Sequence, residues 1–417
     1  MPAYAMLTAG YQVEVAAVTG PLLLRGIGTG DASLRRHRAL WREPDKIRAE
    51  ALINEVRRAR IGGRGGADFP FWQKLQVARQ SGRRRELVVN AAEGEPASAK
   101  DSALLTAVPH LVLDGAQLVA EAIGVRVVHV IVAGERPAVL EAILRAIDER
   151  AQGRRCVRFE VHPTTGGFLG GQSRAVLELL AGRENLPVTG ELPEAVSGLH
   201  GKPTLISNAE TFAQVAALHS VGANGYAAFG TADEPGTRLL TVAADGPGGA
   251  VLEVAHGEPL ANVLRLCGFD PGRPVLIGGY HGSWLSALQV PAATISPIGL
   301  RDFDARLGAG VILPLVPGDC PVIYTAHVVS YLAQQRAQRC GPCIQGLPAL
   351  ADACARLART GPAGADLDAL PRVRELCGLV SGRGACRHPD GTARLVLSML
   401  DTFPGEIVLH ERGGCTA

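Results

Sequence analysis

Lysine is nearly missing from this chain: four residues stand against 38 arginines. Such a bias follows genomic base composition, and it makes each surviving lysine informative. Three of them, Lys74, Lys100 and Lys202, fall inside glycine-rich motifs. Aromatic residues are also scarce, at 4% of 417 positions. No uncharged apolar run reaches the roughly 18 residues that a spanning helix needs, so a membrane-crossing segment is not expected. Excess charge is lacking too. A net charge of +2 gives no signature of nucleic acid or of a membrane surface as a partner. Residues Met1–Gly20 contain no Lys or Arg ahead of their apolar part, which argues against a secretory signal. The expectation is a cytoplasmic protein, at most peripheral on the inner face of a membrane.

An apolar fraction of 47% over 417 residues calls for a folded protein of two or three domains. Nine cysteines are spread unevenly, and five of them lie between Cys340 and Cys386. Without an export signal, such a cluster speaks for metal or redox chemistry over a disulfide framework.

Apolar periodicity predicts a helix over 45–60, a break at the glycine-rich run 61–70, and a short buried strand over 86–90. A helix over 104–124, a strand over 127–133, a helix over 137–150 and a strand over 157–162 follow. Alternation of this kind points to a parallel α/β sheet. After Gly230 two strands are expected at 237–243 and 249–254, then a short helix at 259–267 and a strand at 274–278. From Pro321 on the pattern is helical, over 322–338, 347–360, 367–379 and 391–402, as in a bundle. The domain division that results is 1–235, 236–320 and 321–417.

Four polar loops sit where chemistry is expected. The first, Gly62-Gly-Arg-Gly-Gly-Ala-Asp-Phe-Pro-Phe-Trp-Gln-Lys74, has glycines that let backbone amides approach an anion. Lys74 can add a charge, and Phe69, Phe71 and Trp72 can form a stacking surface for a planar ring. The run is neither a P-loop nor a G-x-G-x-x-G fingerprint, and a plain surface loop with a small aromatic core reads equally well. The second, Asn90-Ala-Ala-Glu-Gly-Glu-Pro-Ala-Ser-Ala-Lys-Asp101, follows a strand, where ligands bind in open α/β sheets. The third, Gly166-Gly-Phe-Leu-Gly-Gly-Gln-Ser-Arg-Ala175, opens onto a helix whose N-terminus favours anions. The fourth runs from Gly201 to Thr211.

In this order the motifs resemble those of the NADH-oxidising, flavin-bearing subunit of respiratory complex I and of related NAD-linked hydrogenases and formate dehydrogenases. The family's R-G-R-G-G-A-G-F-P-T-G-x-K is met by Gly63 to Ala67, Phe69, Pro70 and Lys74. Its N-A-D-E-x-E-P-G-T-F-K-D is met by Asn90, Ala91, Glu93, Glu95, Pro96, Lys100 and Asp101. In the fourth loop Pro203, Thr204, Asn208, Glu210 and Thr211 agree. The resemblance implies a Rossmann-like FMN domain, a β-grasp (ubiquitin-like) module and a C-terminal four-helix bundle carrying an iron–sulfur cluster. It also implies electron flow from NAD(P)H through FMN to the cluster, and on to a ferredoxin-like or membrane redox subunit of a larger complex. FMN would be held by Gly63, Arg64, Gly65, Gly66, Phe69, Lys74, Asn90, Glu93, Gly171, Ile206, Asn208 and Thr211, with Glu93 the carboxylate nearest the chemistry.

Three carboxylates of the family are absent. Ala92 replaces the acid of the second motif, and Gln172-Ser173 replaces a tandem Glu pair, with Arg174 added where a small residue is usual. Lost negative charge weakens the grip on a ribose diol and lifts repulsion of a 2′-phosphate. Two readings follow: preference for NADPH, or loss of the nicotinamide site in a non-catalytic conduit or assembly subunit.

The family's E-S-C-G-x-C-x-P-C-R-x-G is met by Cys340 and Cys343, and its later fourth cysteine by Cys386; its first cysteine is Ala337 here. Cubane clusters are usually held by four thiolates. A 4Fe–4S cluster completed by another ligand such as His388 or Cys377, a 3Fe–4S cluster, a labile iron keeping a water, and no cluster are all open on these residues. Cys340-Gly-Pro-Cys343 also matches a thioredoxin-type dithiol, but that motif follows a strand, and here a helix precedes it. Cys156, Cys267 and Cys354 read as core, Cys320 as core or loop, and Cys415 as a tail thiol.

Overall fold

The computed structural model describes residues 15–80, 84–151, 157–190, 192–244, 249–361 and 365–417; Cys156 lies outside them. The chain enters through β1 (Val15–Ala17), α1 (Leu34–Leu40), α2 (Ala49–Arg58) and α3 (Phe71–Gln80). The expected alternation then sets in. It runs β2 (Glu86–Ala91), α4 (Lys100–Ala107), α5 (Pro109–Ile123), β3 (Val127–Val132), α6 (Pro137–Ala151), β4 (Arg158–Pro163), α7 (Ser173–Leu180), β5 (Thr204–Asn208) and α8 (Ala209–Ala227).

These four strands pair in parallel in the order β4–β3–β2–β5, with Val89 opposite both Val130 and Ser207. Leu87, Val88 and Val89 are fully buried, as strands covered on both faces by helices must be. A single helix over 104–124 is not what forms. Val108 precedes a proline, which disfavours the helical region; it takes φ −138° and α5 restarts with Pro109 in its first turn. The fourth motif, read as a loop, holds strand β5, whose last residue Asn208 caps α8 by accepting the Glu210 amide.

The second sheet comprises β6 (Thr237–Val242), β7 (Gly249–Ala255), β8 (Val275–Ile277), β9 (Ser283–Leu285) and β10 (Val311–Pro314), with α9 (Leu260–Leu266) after β7. Its order is β1–β7–β6–β10–β8–β9. The N-terminal β1 pairs in parallel with β7, so this sheet is not built from one contiguous stretch. Glu253 on β7 fixes the returning segment by accepting the amides of Leu22, Leu23 and Leu24.

The last part is helical: α10 (Pro321–Gln334), α11 (Leu347–Leu357), α12 (Ala369–Val380), α13 (His388–Thr402) and a fifth, short helix α14 (Pro404–Glu411). Val328, Leu332, Leu350, Leu376 and Val396 form a core that also takes in Tyr280, Trp284 and Leu313 from the second sheet. Trp284 donates its indole N–H to Thr325 of α10, so sheet and helices share one interior. Among the described residues no single helix is long and apolar enough to cross a membrane.

Candidate functional site

A cavity of about 1300 Å³ opens at the C-terminal ends of β2 and β5, where an open α/β sheet binds ligands. Of the twelve residues expected to hold a cofactor, eleven line it: Gly63, Arg64, Gly65, Gly66, Phe69, Lys74, Asn90, Glu93, Gly171, Ile206 and Asn208. Thr211 is the exception. It is fully buried behind the first loop, where its hydroxyl accepts the Arg64 amide. The aromatic surface expected from the first loop is divided. Phe69 is exposed and lines the cavity, while Phe71 is buried edge-on against Phe212 and Trp72 packs under Arg57.

The loop ends are fixed by a buried charge network. Lys100 Nζ donates to Asp101 Oδ1 (2.9 Å) and Asn208 Oδ1 (2.8 Å), and lies 3.1 Å from Glu210 Oε2. Burial works against the Lys100 charge, but Asp101 and Glu210 more than offset it and hold the ammonium charged. Asn208 Nδ2 donates to the Asn90 carbonyl and to Asp101, which ties the ends of β2 and β5 together. Arg64 is buried, donates to the Thr237 carbonyl, and faces Asp68 and Glu210. Lys74 donates to the Ile206 carbonyl at 3.0 Å, and burial lowers its pKa.

Glu93, expected as the carboxylate nearest the chemistry, lines the cavity but is tied into the start of α4. Glu93 takes φ +43°. Its Oε1 accepts Ser98 Oγ and the Asp101 amide, and its Oε2 accepts the Ser102 amide, Ser102 Oγ and Arg136. The carboxylate thus caps the first turn of α4 and keeps no free lone pair for chemistry. Glu95, which its motif alone does not single out, also lines the cavity. Its Oε2 accepts the Tyr280 amide, while Oε1 is closed from solvent and has no partner among the described residues. Burial pushes its pKa up to about 8. Gly279, at φ +81°, lets the chain pass this carboxylate: a Cβ there would lie 2.6 Å from Glu95 Oε2.

The departures in the second and third loops have distinct consequences. Ala92 points into an apolar cluster with Val88, Ile131, Val176 and Ile206 and does not line the cavity. Gln172, Ser173 and Arg174 do line it. Arg174 is held by Glu194 at 3.1 Å and by the Leu192 carbonyl, so its charge is partly compensated.

The cavity extends to the helical part, where Phe168, His281, Arg306, Cys386, Arg387 and Arg394 complete the wall. Cys340, Cys343 and Cys386 come together there: the Ala385 amide donates to Cys340 Sγ (3.5 Å), the Gln338 amide to Cys343 Sγ (3.3 Å), and the Cys386 thiol feels both of the others. Amides aimed at sulfur favour thiolate ligands of a cluster. Ala337 packs buried against Cys343 and Leu169. Neither proposed substitute is available for the fourth position. His388 uses Nε2 on the Leu332 carbonyl and Nδ1 on His281, and Cys377 packs in the bundle core beside Cys354. The donor set therefore fits a cluster held by three thiolates. Cys343 follows the helix α10 and lies in a short π-helical turn, Pro342–Gly346, so the strand that precedes a thioredoxin-type dithiol is absent here.

Residues 56–217 match the Nuo51 FMN-binding domain, and residues 324–410 match the NADH-ubiquinone oxidoreductase-F iron-sulfur binding region. The chain is 26% identical to the second F-type subunit of NADH-quinone oxidoreductase from Rhizobium meliloti (strain 1021), over 94% of this chain and 97% of that one. It is 27% identical to the NADP-reducing hydrogenase subunit HndC of Solidesulfovibrio fructosivorans, over 86% of this chain and 76% of that one. An NAD+-reducing NiFe-hydrogenase in the air-oxidized state superposes with a TM-score of 0.81 at 26% identity, over 96% of this chain and 68% of that one. With both family regions in the same order along one cleft, the chain is a homologue of the F-type subunits of NADH-quinone oxidoreductase and of NAD-reducing hydrogenase subunits.

Proposed function

We propose that this chain is an oxidoreductase subunit that takes electrons from NAD(P)H through FMN to an iron–sulfur cluster and delivers them to a partner in a larger complex. One observation carries the reading. A single cavity joins the glycine loops at the strand ends to Cys386, so a cofactor in the loops lies along the route to the thiols. When bound, FMN supplies hydride acceptance with one-electron release, and the cluster supplies single-electron carriage.

The chain's own residues provide position and electrostatics. The Gly63–Gly66 backbone and Lys74 offer donors to an anionic group, while Asn90, Ile206 and Asn208 shape the floor. Glu95 is a carboxyl able to hold or release a proton at the cavity wall near neutral pH. Cys340, Cys343 and Cys386 would hold the cluster. The division into a flavin unit (1–235), a second-sheet unit (236–320) and a cluster unit (321–417) is supported by the two sheets and the helical core. β1 and the shared interior cross its borders. A ferredoxin-like or membrane redox subunit would receive the electrons.

Anaerobic titration of the holoprotein tests the reading. Stoichiometric bleaching of flavin absorbance by NADH or NADPH, followed by reduction of the iron–sulfur band, is expected. Flavin that neither nucleotide reduces would leave the conduit reading, which the missing carboxylates at Ala92, Gln172 and Ser173 favour. A protein that takes up neither FMN nor iron would overturn both.

A further inference from the structure

Outside the cleft lining, four metal-ligating side chains converge in the helical part. Cys320 sits at the N-cap of α10, Glu406 and His410 lie on α14, and Cys415 follows in the C-terminal segment. One ligand atom from each lies within 4.8 Å of all the others. The separations are 3.2 Å from Cys320 Sγ to His410 Nε2, 3.6 Å from Cys320 Sγ to Glu406 Oε1, and 3.4 Å from His410 Nε2 to Glu406 Oε1. A tetrahedral zinc with bonds of about 2.3 Å to sulfur and about 2.0–2.2 Å to nitrogen or oxygen has edges of roughly 3.3–3.8 Å. Two of the observed separations fall within that range, and the Cys320–His410 separation lies just below it.

The surroundings are those of a built site. Cys320 and His410 are each 1% exposed. Glu406 is held by the Thr416 amide at 3.0 Å and by the Thr416 hydroxyl at 2.6 Å. Its ion-pair partner among the described residues is His410, with no Lys or Arg. This half-buried carboxylate beside two thiols therefore has no Lys or Arg partner among the described residues. The amides of Val322 and Ile323 at the start of α10 face the Cys320 sulfur. Backbone groups of Leu357 and Arg359 lie near the imidazole, whose Nδ1 is closed from solvent without a hydrogen-bond partner among the described residues.

We propose that Cys320, Glu406, His410 and Cys415 bind one structural zinc(II) ion, separate from the cluster thiols. Two thiolates, an imidazole and a carboxylate suit zinc by softness and geometry. With all four positions filled by protein the site is closed, so the ion holds structure. It pins the segment after α14 to the start of α10, where the second sheet hands over to the helices.

The test is metal analysis of the holoprotein, purified anaerobically, with iron and flavin measured in parallel. One zinc per chain is expected, with zinc-edge absorption showing two sulfur and two lighter ligands. Cys415→Ser, in the segment after α14, should lose the zinc while iron and flavin stay at wild-type content; His410→Gln should do the same. Absence of zinc even after supplementation, or zinc retained at full content in Cys415→Ser, would overturn the proposal. So would a Cys320–Cys415 disulfide found by mass spectrometry in the anaerobic protein.

Discussion

The two ends of the cleft are built on opposite plans. At the sheet end the buried charges answer one another: Lys100 with Asp101 and Glu210, Arg64 with Asp68 and Glu210, Glu93 with Arg136. At the helical end Arg394 has its Nε closed off without a partner among the described residues, Arg306 stands exposed, and a methyl group occupies the fourth position beside three cysteines. The sheet end is thus organised by protein alone. The helical end has unmet valence and charge that a cluster or an anion would complete.

The largest expected effect comes from breaking the first plan. Lys100→Met leaves Asp101 without its cation and Glu210 with Arg64 alone, and removal of one partner from a buried ion network costs about 3–5 kcal/mol. Chemical unfolding should show that loss together with poor flavin retention. Arg306→Ala, at the other end, should stay within about 0.5 kcal/mol. Equal losses in the two variants would erase the distinction.

The second effect is confined to the helical end. Cys386→Ser leaves two thiolates, and iron content should fall to near zero while flavin content holds. Ala337→Cys should act in the opposite direction by completing four thiolates. A low-temperature paramagnetic spectrum changed from a three-iron to a four-iron form would show it. Unchanged iron content in Cys386→Ser would remove that residue from the ligand set.

Which parts of this were legible in the sequence follows from what each part depends on. The helices α6, α11 and α13 and the strands β2, β3, β6 and β7 could be read because local periodicity and a valine-rich composition decide them. The strands β1, β9 and β10 could not: each is three or four residues long, and pairing partners far along the chain make them strands. Eleven of the twelve loop residues meet at one cavity, since a glycine-marked loop after a strand has few places to go. The roles of Glu93 and Glu95 were not legible. They sit two residues apart in one motif, and only the approach of Tyr280 and Arg136 from other elements separates them. Cys415 read as a tail thiol for the same reason, because Cys320 lies 95 positions away in the sequence.

A smaller effect tests the Glu95 assignment. Its folded-state pKa, about 8, lies above the ordinary glutamate value of 4.5. The folded flavin-free protein therefore keeps a proton that the unfolded chain releases above about pH 4.5. Stability falls as pH rises across the window from about 4.5 to about 8, by at most about 1.4 kcal/mol per pH unit. Outside that window this group adds no slope. Glu95→Gln should flatten that part of the profile, whereas Glu93→Gln should destabilise by uncapping α4 without flattening it. Parallel wild-type and Glu95→Gln profiles between pH 5 and 8 would show that Glu95 ionises normally.

The smallest expected effect concerns which nucleotide the cleft accepts. Arg174 lines the cavity beside the positions where the family carries acid, yet Glu194 and the Leu192 carbonyl already hold it. If the arginine selects a 2′-phosphate, that anion must compete with Glu194, and a partly exposed pair yields only about 1 kcal/mol. Arg174→Ala should then lower the NADPH-to-NADH ratio of kcat/KM by about threefold to tenfold, with the difference shrinking as salt screens the charge. Glu194→Gln should shift the ratio the other way by freeing the guanidinium. A ratio unmoved in both variants would place nucleotide choice with Arg306 and Arg394, two cavity-lining cations that form no ion pair among the described residues.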